Sequence, residues 1–98
     1  MKQNLIKIAL IVAFAAALSG TAQAADCFAD YKAKQDNPLR LHYGVMQLNG
    51  PCEKGQASSE IASRLAPGGW TLLNVISVFG PEGLEERKAN AGSYYLRF

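Results

Sequence analysis

The chain has 98 residues, 18% of them charged, with ten basic and eight acidic side chains. Two of the basic residues, Lys2 and Lys7, belong to the amino-terminal segment, and the eight basic and eight acidic residues that follow cancel. A net charge of zero gives no support for binding to nucleic acid or to an anionic membrane, so we expect no nucleic-acid partner. The length allows a single small domain.

The first 24 residues have the three-part pattern of a secretory signal peptide. Lys2 and Lys7 come first, an apolar run of eleven residues follows at 8–18, and small residues lead to Ala24. A helix needs about 20 apolar residues to cross a bilayer, so this run is too short for an anchor. We expect cleavage between Ala24 and Ala25. The product is then a domain of residues 25–98, without a membrane span, in the periplasm or outside the cell.

Cys27 and Cys52 are the two cysteines of the chain, and both follow the predicted cleavage site. Disulfides form and persist in the compartment that an exported protein enters, so we expect a Cys27–Cys52 disulfide. In the chain-entropy model this cross-link contributes about 3.5 kcal/mol, a large share for so small a domain. Two cysteines and one histidine without a Cys-x-x-Cys pair make a poor metal site. We therefore expect no metal and no other cofactor.

Residues 26–36 predict a short helix. Asp26 is a suitable cap, and Cys27, Phe28 and Tyr31 fall on one side at helical spacing. The helix ends before Pro38, because the residue before a proline avoids the helical region.

The next two elements are a strand and the main helix. Residues 39–48 alternate as a strand with one buried side does, with Leu39, Leu41, Tyr43 and Val45 on one face. Residues 52–65 then carry an apolar helical stripe of Ala57, Ile61 and Leu65, with Ala62 beside it.

Two further strands complete the predicted fold. Residues 70–79 are apolar on both faces, which indicates a strand with little solvent on either side, and residues 93–98 resemble a closing aromatic strand. The order predicts an α+β domain with a three-stranded mixed sheet, one main helix on one face and a short amino-terminal helix. A crossover through the main helix makes the strands at 39–48 and 70–79 parallel, with the final strand antiparallel to its neighbours.

A glycine pair precedes the apolar strand, in the order Gly68-Gly69-Trp70-x-Leu72-Leu73. With the preceding helix and the aromatic end, it resembles small bacterial domains of unknown function that have a β-α-β-β core and a Gly-Trp-x-Leu turn. The whole chain also resembles uncharacterised small exported bacterial proteins. These resemblances imply a fold and no activity, so no functional residue follows from them.

His42 is the single histidine, so any histidine-dependent catalysis must use it. Arg40 lies two positions earlier on the same face of the predicted strand, and the two could bind an anion or transfer a proton in a cleft. No nucleophile motif such as Gly-x-Ser-x-Gly accompanies His42. We therefore expect no catalytic residue, and keep Arg40 and His42 as candidate binding residues.

The charged connection at 80–92 is the other candidate site, because long loops often carry function. Arg87, Lys88 and Asn90 are its candidate donors to a ligand or partner, although a solvated helical turn explains such a charge run better. The carboxylates of Glu82, Glu85 and Glu86 in this connection do not make a glycosidase pair without a second carboxylate that faces them across a cleft.

The sequence thus favours a non-enzymatic periplasmic binding or protein-interaction module, with an unknown protein or small-molecule partner. The alternatives are a small enzyme that uses His42 and an inhibitor of an exported enzyme. Homodimerisation is a further hypothesis, since Trp70, Tyr94 or Tyr95 could leave aromatic surface exposed.

Overall fold

The computed structural model describes residues 26–98. The predicted signal peptide and its cleavage site at Ala24 and Ala25 lie outside the described residues. The strands are β1 (Phe28–Gln35), β2 (Arg40–Gln47) and β3 (Thr71–Phe79), and the helices are α1 (Lys54–Leu65) and α2 (Glu85–Ala91). Short 3-10 turns occupy Ala66–Gly68, Pro81–Gly83 and Gly92–Tyr94.

The three strands form one sheet in the order β2-β1-β3, and β1 is antiparallel to both neighbours. The α+β class, the three-stranded sheet, the main helix and the disulfide are confirmed. The two strands that flank α1 are parallel to each other, as predicted, and an antiparallel strand lies between them. That central strand is β1, however, so all neighbouring strands are antiparallel and the expectation of a mixed sheet is wrong.

The predicted amino-terminal helix is wrong because residues 28–35 form the central strand. Ala29 and Tyr31 face one side of the sheet, Phe28 and Asp30 face the other, and all four are buried. A strand that is buried on both sides lacks the alternation of apolar and polar residues that marks a half-exposed strand. The apolar residues Cys27, Phe28 and Tyr31 then happen to have the spacing of one face of a helix.

We call the side of the sheet that α1 covers the front face. Its core holds the following buried side chains: Ala29, Tyr31, Ala33, Met46, Leu48, Ala57, Ile61, Leu65 and Val75. The opposite side is the back face, where α2 covers one end over Phe28, Val45 and Ala91. The other end of the back face has no covering element within residues 26–98.

Helix α1 follows the prediction closely. The side chain of Glu53 caps it by accepting a hydrogen bond from the amide of Gln56, at 2.9 Å. The predicted stripe of Ala57, Ile61 and Leu65 is buried. Ala62 is exposed instead, because it lies on the flank of the helix.

The carboxyl-terminal segment does not form the predicted closing strand. It forms the 3-10 turn Gly92–Tyr94 and then lies along β2, where Tyr95 makes a single bridge to Val45. The amide of Leu96 donates to the carbonyl of Val45 at 2.8 Å. Since β1 already occupies the centre of the sheet, the aromatic segment covers the outer edge of β2.

Two expectations about burial in the strands are also wrong. Leu39 and Leu41 are each 66% exposed, because they lie at the uncovered end of the back face. In β3, Leu73 is 50% and Ile76 38% exposed, because β3 is an edge strand. Both are the extra residues at register shifts against β1, as at β-bulges.

Candidate functional site

His42 lies within a cluster of aromatic rings on the front face. Its ring stacks on Tyr94, with centroids 3.7 Å apart and planes at 10°, and the Trp70 ring is nearly perpendicular to it, with centroids 4.3 Å apart. The hydroxyl of Tyr31 lies 3.0 Å from its Nε2. Strand pairing places the small side chain of Ala33 opposite His42. Trp70, which directly precedes β3, reaches over Ala33 to the histidine ring.

Gly44 makes the contact between Tyr31 and His42 possible. It pairs with Tyr31 across the strands, and a Cβ at this position would lie 2.5 Å from the tyrosine hydroxyl and 2.6 Å from its ring. The Tyr31 ring therefore lies over the bare glycine backbone. Its hydroxyl then reaches the histidine two residues away on the same face of β2.

The cluster favours uncharged forms of both groups. Burial lowers the pKa of His42 below its ordinary value, and burial raises the pKa of Tyr31 to about 12. His42 Nδ1 is buried and has no hydrogen-bond partner within residues 26–98. A neutral imidazole with 9% exposure packs as an aromatic side chain among these rings.

Arg40 lies on the same face of β2 as His42, at the side of the Trp70 ring. It is exposed, and its guanidinium carbon lies 6.0 Å from the centroid of the Trp70 ring. The two predicted binding residues of β2 therefore share a face and a neighbour, and their role in binding stays a prediction. The alternative function, a small enzyme that uses His42, also stays a prediction.

Arg87 takes part in an ionic network that joins α2 to the sheet. Its Nε donates to the carboxylate of Asp30 at 3.0 Å, and its guanidinium carbon lies 3.9 Å from the centroid of Phe79. Asp30 also accepts from the Ser77 amide at 2.9 Å, the Ser77 hydroxyl at 2.7 Å and the Tyr43 hydroxyl at 2.9 Å. Arg87 thus fixes α2 to the sheet.

The protonation state of Asp30 follows from these contacts. Burial acts to raise the pKa of this carboxyl, but the hydrogen bonds from Ser77, Tyr43 and Arg87 and the charge of Arg87 outweigh burial and lower it. Asp30 is therefore ionised at neutral pH. No feature of the sequence marked it, because its buried position depends on β1 being the central strand.

The other two predicted donors lie on the outer side of α2. Lys88 and Asn90 are exposed, and the Lys88 ammonium is 5.7 Å from the centroid of the Tyr95 ring. The connection at 80–92 is thus a docked helix with two solvated polar side chains. Their role in binding stays a prediction.

The uncovered end of the back face, which we call the open patch, presents the most accessible apolar surface. A depression of about 260 Å³ is lined by Lys32 and Ala33 of β1, by Leu41, His42 and Tyr43 of β2, and by Leu73 of β3. Leu39 is exposed beside it. Within residues 26–98, Lys32 makes no ion pair. The patch combines exposed leucines with a free ammonium group.

The sequence did reveal the cysteine pair. Cys27 and Cys52 form the predicted disulfide, with their Cα atoms 5.8 Å apart. Within residues 26–98, no group of three or more His, Cys, Asp and Glu side chains is placed to hold a metal ion. None of the helices in this part of the chain has the length and apolar character needed to cross a membrane.

Comparison of the chain with protein-family models, with curated proteins and with solved structures gives no match.

Proposed function

We propose that this chain is a non-enzymatic protein-interaction module that acts in the periplasm or outside the cell. The amino-terminal pattern of a signal peptide supports export, and a disulfide between the two cysteines suits an oxidising compartment. The enclosure of the single histidine by Tyr31, Trp70 and Tyr94 argues against a catalytic role for it.

The open patch is the contact surface of this proposal, and its exposed leucines carry the argument. Leu39 and Leu41 are 66% exposed and Leu73 is 50% exposed, all at one end of a sheet whose other end is covered. Clustered apolar side chains of this size mark interaction sites more often than they mark ordinary surface. The Arg87 to Asn90 segment is a weaker candidate, because Arg87 is engaged within the domain.

The chemistry of the open patch defines the partner. Lys32 lies on β1, between the strands that carry Leu41 and Leu73, and its ammonium group has no carboxylate partner among the described residues. A complementary surface places apolar side chains on the leucines and a carboxylate on Lys32. We infer a protein partner with an acidic residue flanked by apolar ones.

Affinity capture from envelope extracts tests this proposal. The wild-type protein is compared with Leu41→Ser and Lys32→Glu, and Lys54→Glu on α1 is the matched charge control. We expect both open-patch variants to reduce the amount of the same captured protein by at least about tenfold, as loss of about 1.4 kcal/mol of binding requires. The control should capture it normally. Equal capture by all four proteins would contradict the proposal.

The inhibitor of an exported enzyme stays a prediction from the sequence. It requires a protruding rigid loop, and the longest predicted connection is instead occupied by α2 and packed on the back face. No contact among the described residues favours it over a general interaction module.

A further inference from the structure

The two edges of the sheet differ in how they are covered. The carboxyl-terminal segment lies along β2, where Leu96 donates a main-chain hydrogen bond to Val45 and Tyr95 forms a bridge. On the other side, β3 pairs with β1 alone, and no described segment occupies its outer edge. One edge of the sheet is therefore available for a further strand.

The open edge lacks the usual chemical protection. Thr71–Phe79 contains nine residues with no charged side chain and no proline. Proteins commonly block such edges with lysine, proline or bulges, and β3 uses only bulges. The bulge residues are Leu73 and Ile76, both exposed and apolar, so the distortions add apolar surface to the edge.

Helix α1 extends this edge into a broader flank. A groove of about 460 Å³ runs between α1 and β3 and is lined on the helix side by small residues, Ser58, Ser59, Ala62 and Ala66. The nine residues of β3 span about 30 Å in a sheet layer about 10 Å deep, and the twelve residues of α1 span about 18 Å in a helix about 10 Å wide. The flank thus offers about 500 Å² per molecule, or about 1,000 Å² in a symmetric pair, which reaches the lower limit of specific interfaces.

We propose that a second copy of this chain occupies the edge, through antiparallel pairing of β3 with β3. A twofold axis at Val75, the midpoint of Thr71–Phe79, pairs the strands over their full length. Ile76 of one molecule then lies diagonally across from Ile76 of the other, about 7–8 Å away. The uncharged edge contains no like charges to oppose such pairing, and the balanced charge of residues 25–98 adds no long-range repulsion.

The structure places this interface away from the aromatic surface suggested by the sequence. Trp70, Tyr94 and Tyr95 are all partly buried, and Tyr94 is stacked on His42. It meets the open patch at Leu73, but Leu41 of the patch lies on β2, away from the paired edge. An interface of minimal size gives a weak dimer, with a dissociation constant in the micromolar range.

Sedimentation of the oxidised protein purified from the envelope tests the dimer, at concentrations from about 10 µM to about 1 mM. Wild-type protein should convert from monomer to dimer over this range. Ile76→Lys and Ile76→Glu should each weaken the dimer at least about tenfold through like-charge repulsion, and an equal mixture of the two should restore it. Leu41→Lys is the matched control on β2 and should dimerise normally.

Three results would overturn the proposal. The first is a wild-type protein that stays monomeric at about 1 mM, and the second is a dimer that Ile76→Lys leaves unaffected. The third is an equal mixture of Ile76→Lys and Ile76→Glu that forms no dimer although both variants keep the circular dichroism spectrum of the wild type. Since Leu41→Lys disrupts the open patch alone, loss of partner capture and loss of dimerisation are separable.

Discussion

The ion pair between Asp30 and Arg87 gives the sharpest quantitative prediction. The Asp30 side chain is 7% exposed and the Arg87 side chain 20% exposed, and the carboxylate accepts four hydrogen bonds. Removing one partner of a buried pair costs about 3–5 kcal/mol, and the partial exposure of Arg87 favours the lower end. We expect Asp30→Asn to lower the free energy of unfolding by about 3 kcal/mol, out of about 4–11 kcal/mol for a domain of this size.

The pH dependence gives this prediction a second readout. The folded-state pKa of Asp30 is below its ordinary value, so its stabilising effect is complete above about pH 4. It is lost as the pH falls through the folded-state pKa, because protonation removes the charge that Arg87 pairs with. The difference between wild type and Asp30→Asn should therefore be largest at pH 7 and should shrink below pH 4.

Urea unfolding followed by the fluorescence of Trp70, the single tryptophan, measures both effects. Asp36→Asn is the matched control, since Asp36 forms an exposed pair with Lys34 and should change stability by less than about 1 kcal/mol. A loss below about 1 kcal/mol for Asp30→Asn, or a difference that persists unchanged at pH 2, would refute the reasoning.

Three further outcomes are expected. Gly44→Ala should lower the free energy of unfolding by about 1–3 kcal/mol, because the added Cβ would collide with Tyr31. Gly68→Ala is the control and should be tolerated, since the nearest atom to its added Cβ is 3.6 Å away. Thermal unfolding of the two variants and the wild type measures the difference. Replacing both cysteines with alanine should lower the free energy of unfolding, measured with urea, by about 3.5 kcal/mol. An unchanged urea midpoint of unfolding would exclude a structural role for the disulfide. Burial lowers the pKa of His42, so wild-type stability should be full above about pH 6.5 and fall below it, while His42→Phe should lack this slope. An NMR titration of His42 with a pKa at or above 6.5 would contradict that assignment.

The elements with a clear periodic pattern could be predicted from the sequence, and so could the disulfide. The stripe of Ala57, Ile61 and Leu65 located α1, and the apolar run located β3. These patterns are set by one face of one element, so they depend little on the rest of the fold.

The remaining errors share one cause, which is the position of β1 at the centre of the sheet. A central strand is buried on both sides, and Ala29 and Asp30 then carry no alternating signal. Once β1 fills the centre, the aromatic residues near the end of the chain cannot form a third strand there. The open patch and the Asp30–Arg87 pair also depend on this placement, so neither could be found from local patterns.

The disulfide closes a short unit of the fold. Cys27 immediately precedes β1, and its carbonyl accepts a hydrogen bond from the amide of Leu48 just after β2. The cross-link to Cys52 therefore secures the β1–β2 hairpin and the entry to α1, while β3 and α2 lie outside the covalent ring. Partial opening of these later elements breaks no covalent bond, so in the monomer the amides of β3 should exchange with solvent sooner than those of the hairpin.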